Sequence, residues 1–375
     1  MTGGRDEQAI FRILDASANR AAEGLRTLEE YARFVLEDRG LTGEAKAIRH
    51  ALVAALQILP DRARLMARAV ASDCGTTLTA DGEMRREDLQ AVVASAAARV
   101  QQALRCIEEY AKPLDSDLAT DAESLRYRAY TLAASLLLMR DRCQKLELAR
   151  LYLLIGGEPE QSADDFGARV ERLFQAGVDI IQLRDKWADD VTIYHWSRRG
   201  AEIARRLGKL FIVNDRADIA AAAGAQGVHV GQEELPVEAV RRVVGSELLI
   251  GVSTHNLDQV RGAVADGADY IGCGPTFPSQ TKAFDAYPGL DFLRAAAAET
   301  TLPAYAIGGI TLEQLETVLA TGIRGVAVSQ AILAAEDPVA AAHAWKWRLA
   351  ADRAGARADP QTVPTNRWSR AEGVE

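Results

Sequence analysis

At 375 residues the chain is too long for one ordinary domain and suits two. Its formal net charge of −9 leaves no basic excess to neutralise a phosphate backbone, which argues against a nucleic-acid partner while leaving room for local cationic pockets. Apolar residues make up 48% of the chain, enough for a sizeable core in each half.

The chain opens MTGGRDEQ, without the apolar run of a secretory leader, and no apolar stretch reaches the roughly 18 residues of a membrane span. Cys74, Cys106, Cys143 and Cys273 are scattered, with neither CxxC nor metal-ligand spacing, which reads as free thiols in a reducing compartment. The expected location is cytoplasmic, with no membrane partner.

Residues 10–149 are rich in Ala, Leu, Arg and Glu and poor in strand-like runs, so this part is expected to be all-α. It contains a repeat: NRAAEGLRTLEEYAR (19–33) returns as ARVQQALRCIEEYAK (98–112), pairing Arg20 with Arg99, Arg26 with Arg105 and Glu29-Glu30-Tyr31 with Glu108-Glu109-Tyr110. A second match sets Arg49 in AIRHAL against Arg126 in SLRYRA. Each half reads as two helices, together a pseudo-twofold bundle. The repeat keeps charged residues as well as apolar ones. Arg20, Glu23, Thr27 and Glu30 share a helix face, as surface ion pairs or as part of a site. Between the repeats, Ser72-Asp-Cys-Gly-Thr-Thr-Leu78 reads either as an anion cradle of backbone amides or as a plain loop with an Asx turn. The helical domain is expected to span 1–147.

From Leu151 the rhythm changes to eight short apolar runs: 151–155, 179–184, 210–214, 227–230, 248–253, 270–274, 304–308 and 325–329. Helical patterns follow each one, at 164–176, 189–207, 216–223, 236–244, 256–266, 290–299, 311–321 and 338–351. Strands apolar on both faces and alternating with helices form a parallel sheet, and eight units predict a (β/α)8 TIM barrel over 148–352. A doubly wound sheet is the runner-up. Residues 353–375 lack periodicity and are expected to form a flexible tail.

A barrel places its chemistry at the C-terminal strand ends. The second run ends Ile181-Gln-Leu-Arg-Asp-Lys186, where alternation sets Gln182, Arg184 and Lys186 on one face and turns Asp185 away. That face reads as the lip of an anion site, or as a merely solvated strand end. Asn214-Asp215, Gly231-Gln-Glu-Glu234, Ser253-Thr-His255, Gly308-Gly309 and Val328-Ser329 end other strands. His229 and His255 are candidate bases, though lone histidines are more often structural. The long loop at 275–289 brings Ser279, Gln280, Thr281 and Lys282, hydroxyls and a cation suited to phosphate oxygens. Gly308-Gly309, ahead of a helix expected at Thr311, would let backbone amides meet an anion at a helix N-terminus; a plain tight turn is the alternative. Asp215 and Glu234 read as a Mg2+ pair beside a polyphosphate, as a general acid–base pair, or as partners of Arg184, with the metal favoured. One anion site on Arg184, Lys186 and Lys282, a second on the glycines and hydroxyls, and no obvious nucleophile suggest transfer with diphosphate as leaving group.

QLRDK (182–186), FIVND (211–215), GVHVGQEE (227–234), GVSTH (251–255), GADYIGCGPTFPSQTK (267–282) and AIGGI (306–310) resemble the thiamine phosphate synthase family, in order across the whole barrel. The resemblance implies a transferase joining hydroxymethylpyrimidine diphosphate to hydroxyethylthiazole phosphate, giving thiamine phosphate and diphosphate by a dissociative, Mg2+-assisted substitution. It implies Gln182, Arg184, Lys186, Asn214, Ser253 and Lys282 on the pyrimidine diphosphate, with Arg184, Lys186 and Lys282 catalytic. Asp215 and Glu234 would take Mg2+, and Ser279, Thr281, Gly309, Val328 and Ser329 the thiazole phosphate. Two positions depart from the family: Glu234 stands where Asp is usual, which suggests a shifted or water-bridged metal, and Ser279 where Thr is common. The partners implied are these small molecules, and a homo-oligomer is compatible with them.

The stretch ILDASANRAAEGLRTLEEYARFVL, with DCGT and ALRCIEEYAK, is similar to a helical domain fused ahead of this synthase in some bacteria and proposed to phosphorylate hydroxymethylpyrimidine phosphate. It carries no P-loop. A thiazole tautomerase-like barrel, or a helical half serving only dimerisation or regulation, are the alternatives.

Overall fold

A computed structural model describes residues 3–60, 62, 85–158, 160–278 and 287–356. The 72–78 loop, Cys74, the 279–286 segment with Ser279, Gln280, Thr281 and Lys282, and residues 357–375 of the expected tail lie outside the described residues. The chain divides into two compact units, 1–140 and 141–375.

The first unit is helical. Helix α1 spans Gly3–Phe34 and α2 Arg39–Ala55, while α3 spans Leu89–Ala111 and α4 Ser116–Leu148, continuing past the unit boundary. Asp38 caps α2 through the Leu41 amide and Asp88 caps α3 through the Ala91 amide, each satisfying a donor left over at a helix start. Helix α1 packs closely on α3, sealing apolar stripes that include Leu25, Leu28, Val100 and Leu104.

The charged half of the repeat is explained by what it does between helices. Glu29 on α1 accepts from Arg49 on α2 at 2.9 Å, and Glu108 on α3 accepts from Arg126 on α4 at 2.8 Å. Both glutamates are buried. The Arg126 guanidinium also lies over the rings of Tyr127 and Tyr130, at 4.5 and 5.5 Å. The matching carboxylate–guanidinium pairs therefore fasten the two helical hairpins, which accounts for their recurrence. Arg20, Glu23 and Glu30 are exposed, with Glu30 paired to Arg26 at 2.9 Å.

In the second unit, strands β1 Leu151–Ile155, β2 Ile180–Leu183, β3 Leu210–Asn214 and β4 Gly227–Val230 are followed by β5 Leu249–Thr254, β6 Tyr270–Cys273, β7 Ala304–Ile307 and β8 Gly325–Val328. All neighbours are parallel and the sheet closes, with Leu151 opposite Val326. Helices α5 Ala163–Gln175, α6 Asp190–Leu207, α7 Ala217–Ala222, α8 Val237–Val244 and α9 Leu257–Asp266 follow the first five strands. Then come α10 Gly289–Glu299, α11 Leu315–Leu319, a single turn α12 Gln330–Leu333 and α13 Pro338–Ala356. This is the expected (β/α)8 barrel. The layer between wall and helices is filled by Phe166, Phe174, Trp196, Phe211 and Trp345 among many aliphatics. Among the described residues no helix is long and apolar enough to cross a membrane.

The helix expected over 311–321 is shorter. Residues 312–314 form a turn, and Gln314 Oε1 accepts from the Thr311 amide at 3.0 Å, so the helix proper starts at Leu315.

Two aspartates pin the N-terminal end of the barrel. Asp179, just before β2, accepts from the Arg150 amide at 3.0 Å, Lys209 Nζ at 3.1 Å and Lys346 Nζ at 2.7 Å. Burial pushes its carboxyl up, but Lys346, the Arg150 amide and Lys209 outweigh that and hold it below its ordinary value. Asp269, before β6, accepts from Arg241 at 2.9 Å and from the Ile250 amide at 2.7 Å.

Candidate active site at the C-terminal mouth of the barrel

The β1–β2 ladder runs one bond past β2, with the Arg184 amide donating to the Ile155 carbonyl at 2.8 Å. Gln182 is buried and turned into the barrel, Arg184 is half-buried and Lys186 exposed. Asp185 turns to the backbone instead. Its carboxylate accepts from the amides of Gly157 at 3.0 Å and of Trp187 and Ala188 at 2.8 Å. It builds the loop that carries the two cations.

Asn214 ends β3, and the next residue, Asp215, has a left-handed backbone (φ 61°). Asp215 donates its amide to the His229 carbonyl at 2.8 Å, which fixes that turn against β4. Burial pushes the Asp215 carboxyl up and Glu234 pushes it further, while Arg184 and Lys186 pull it back. Asp215, Glu234, Arg184 and Lys186 thus share one electrostatic cluster fed by three different strand ends. Among the described residues neither Arg184 nor Lys186 makes an ion pair. Glu234 folds back across Gly231, where an added Cβ would overlap its carboxylate. No cluster of three or more metal-ligating side chains exists among the described residues. Two carboxylates beside two cations are a donor set suited to Mg2+, which keeps waters and shares substrate phosphate oxygens rather than sitting in an all-protein cage.

Below this cluster a chain of hydrogen bonds crosses the barrel. Gln182 Nε2 donates to Tyr152 Oη at 3.1 Å, and Tyr152 Oη lies 2.9 Å from Tyr270 Oη. Tyr270 Oη lies 3.2 Å from His229 Nδ1, and His229 Nε2 lies 2.9 Å from Ser253 Oγ. Because β1 and β6 are not neighbours, this contact passes through the interior. Burial, and secondarily the charge of Arg184, push His229 down to about 4, so its ring is neutral at physiological pH. His255 serves a different end: its Nδ1 lies 2.5 Å from the Gly274 carbonyl, tying β5 to the end of β6.

On the far side, the loop after β6 is stitched to β7. The Thr276 amide donates to the Ile307 carbonyl at 2.8 Å and the Phe277 amide to the Gly308 carbonyl at 2.9 Å. Gly309 has φ 64°, and a Cβ there would overlap the carbonyls of Phe277 and Pro278. The glycine pair is therefore required by the close approach of the loop. It does not open a helix, since α11 starts only at Leu315, so the expected helix N-terminus at Thr311 is corrected. Val328 ends β8, buried, and Ser329 precedes the single turn α12 without a side-chain cap.

Gln182, Arg184, Lys186, Asp215, Glu234 and Ser253 are thus brought to one mouth. Sequence reasoning missed Tyr152 and Tyr270, counted there as apolar strand residues. The signal was the polar tip of a buried tyrosine, which needs a partner.

A closed parallel barrel with two cations and two carboxylates gathered at its C-terminal mouth is the arrangement of a barrel enzyme with a charged site. The chain belongs to the thiamine-phosphate synthase family and is a transferase. Residues 151–332 match the family described as Thiamine monophosphate synthase, and residues 12–135 match the ThiD2 family. The chain is 51% identical to Thiamine-phosphate synthase of Rhodopirellula baltica over 336 residues, covering 87% of this chain and 89% of that one. It is 42% identical to the Thiamine-phosphate synthase of Thermosynechococcus vestitus, covering 89% and 93%. Among solved structures it is similar to the thiamine phosphate pyrophosphorylase of Pyrococcus furiosus, at 30% identity and TM-score 0.49, covering 56% of this chain and 98% of that one.

Proposed function

We propose that the barrel, residues 148–352, joins hydroxymethylpyrimidine diphosphate to hydroxyethylthiazole phosphate, releasing thiamine phosphate and diphosphate. The observation that carries this reading is the pair Arg184 and Lys186, in no direct ion pair among the described residues and within electrostatic reach of Asp215. The bond from the pyrimidine methylene to the diphosphate oxygen breaks, its electron pair leaving with diphosphate. The thiazole nitrogen then donates its lone pair to the methylene carbon. Arg184, Lys186 and Lys282 stabilise the departing charge, where electrostatic help is largest in the transition state. Gln182, Asn214 and Ser253 orient the pyrimidine diphosphate. Ser279, Thr281, Gly309, Val328 and Ser329 hold the thiazole phosphate. Asp215 and Glu234 would hold Mg2+, which supplies Lewis-acid neutralisation of the diphosphate oxygens. A thiazole tautomerase would have no use for the carboxylate pair beside Arg184 and Lys186.

The test is product formation by the full chain given both substrates and Mg2+. Thiamine phosphate and diphosphate should appear in equal amounts, and Lys282→Ala should collapse turnover while leaving the melting temperature near that of the wild type. Near-normal turnover in Lys282→Ala would sink the assignment.

For the helical part, expected over 1–147, the ThiD2 match supports phosphorylation of hydroxymethylpyrimidine phosphate, the step that would supply the barrel. Incubating the full chain with ATP and the monophosphate should give the diphosphate. A folded chain without product would make this part a dimerisation or regulatory module. The proposed location is the cytoplasm, in keeping with Cys106 and Cys273 as thiols rather than disulfides.

A further inference from the structure

The hydrogen-bond chain across the barrel has a direction, and one residue sets it. Tyrosine and serine hydroxyls can donate or accept, and neutral imidazole can carry its proton on either nitrogen. An amide has unlike ends, so Gln182 decides. Its Nε2 donates to Tyr152 Oη. Tyr152 Oη could accept twice, but its own buried proton reaches Tyr270 Oη, 2.9 Å away, as its acceptor, so Tyr152 donates to Tyr270. Tyr270, having accepted, donates to His229 Nδ1 at 3.2 Å. His229 with an accepting Nδ1 carries its proton on Nε2 and gives it to Ser253 Oγ at 2.9 Å. The Ser253 proton is left to point away from His229.

We propose that Tyr152, Tyr270 and His229 are positioning residues that fix the neutral Nε2–H form of His229, and so present Ser253 as a hydrogen-bond donor to an acceptor atom of the pyrimidine diphosphate. Gln182 is left presenting its carbonyl Oε1 at the other end. Reversing the chain would require the Gln182 amide to turn over, or would leave the buried Tyr152 proton without this acceptor, and would make Ser253 donate into the histidine, leaving it only an acceptor for substrate. Substrate polarity at the two ends is thereby read as one unit, through residues of five strands. All of these groups except Ser253 are buried, where hydrogen bonds polarise one another and an unmatched one is costly.

The proposal rests on the placement of Ser253 at the pyrimidine diphosphate, and the experiment separates the two. In 15N-labelled full-length protein without substrate, the His229 ring signals, assigned by their loss in His229→Gln, should show a protonated Nε2 and a bare Nδ1. In Tyr270→Phe, which removes one oxygen from a buried ring, the Nδ1 signal should shift as it loses its donor. Kinetically, Ser253→Ala and Tyr270→Phe should each raise KM for the pyrimidine diphosphate by about tenfold, as loss of one hydrogen bond does. KM for the thiazole phosphate should stay unchanged. The double variant should be no worse than the worse single one, because both remove the same donor. A protonated Nδ1 in the wild type, or additive losses in the double variant, would overturn the relay while leaving the proposed reaction intact. Unchanged kinetics in Ser253→Ala would remove Ser253 from the site and the relay with it.

Discussion

The two ends of strand β2 use charge in opposite ways. At its start Asp179 is held by two lysines and two backbone amides, so its carboxylate and both lysines are engaged in direct contacts inside the protein. At its end Arg184 and Lys186 stand beside Asp215 and Glu234, close enough to act on one another yet without an ion pair for either cation among the described residues. The same sheet spends its lower charges on closing the barrel and, in the proposed function, keeps its upper charges for a ligand. That is the division a (β/α)8 enzyme needs, stability at one face and chemistry at the other.

Substitutions at the two ends should separate cleanly. Arg184→Ala should lower turnover by about two orders of magnitude or more, with little change in melting temperature, as removal of a group that stabilises transition-state charge does. A matching loss of stability would mean that Arg184 serves the fold. Asp179→Ala should do the reverse, costing about 3 kcal/mol in a denaturant titration by stranding two lysines, with kcat of the folded protein retained. Its protection is also pH-dependent. A carboxyl held below its ordinary value contributes fully above about pH 4, and the contribution is lost as the pH falls through the lowered value. The stability difference between wild type and Asp179→Ala should therefore shrink only in acid.

Smaller effects sharpen the contrast. The Asp215 carboxyl is raised, so its ionised form is a burden on the metal-free fold at neutral pH, relieved as the pH falls through its raised value. Asp215→Asn tolerates the left-handed backbone and should raise the melting temperature by about 1 °C while removing Mg2+-dependent activity. A drop in melting temperature would show that Asp215 is structural. His229 gives a second pH signature. Its folded value, about 4, lies below the ordinary 6.5, so stability is full above pH 6.5 and is lost as the pH falls towards 4 while the unfolded chain takes up the proton. In thermal melts over that window, His229→Gln should show a shallower decline than the wild type.

Much of the fold was legible because barrel strands are buried on both faces and read as continuous apolar runs, punctuated by polar strand ends. The 311–321 pattern overran because Gln314 folds back onto the Thr311 amide, a local bond that apolar spacing does not report. In the helical unit the repeated Glu and Arg positions were visible, but not that Glu29 meets Arg49 and Glu108 meets Arg126, because partners across a hairpin depend on how the helices pack. At the site, alternation placed Gln182 and Arg184 on one face. It could not show that Asp185, turned aside, holds two backbone amides of the loop carrying Lys186 and a third, Gly157, of the loop after β1. Nor could it show that Gln182 and Ser253 are joined through two tyrosines and a histidine.

The central claim, that the mouth keeps its charges for a Mg2+-bound diphosphate, is tested most directly by titration calorimetry. Diphosphate with Mg2+ should bind the wild-type chain and bind Arg184→Ala at least about tenfold more weakly, and omitting Mg2+ should weaken binding to the wild type. Equal affinity of the two proteins for diphosphate would contradict the account.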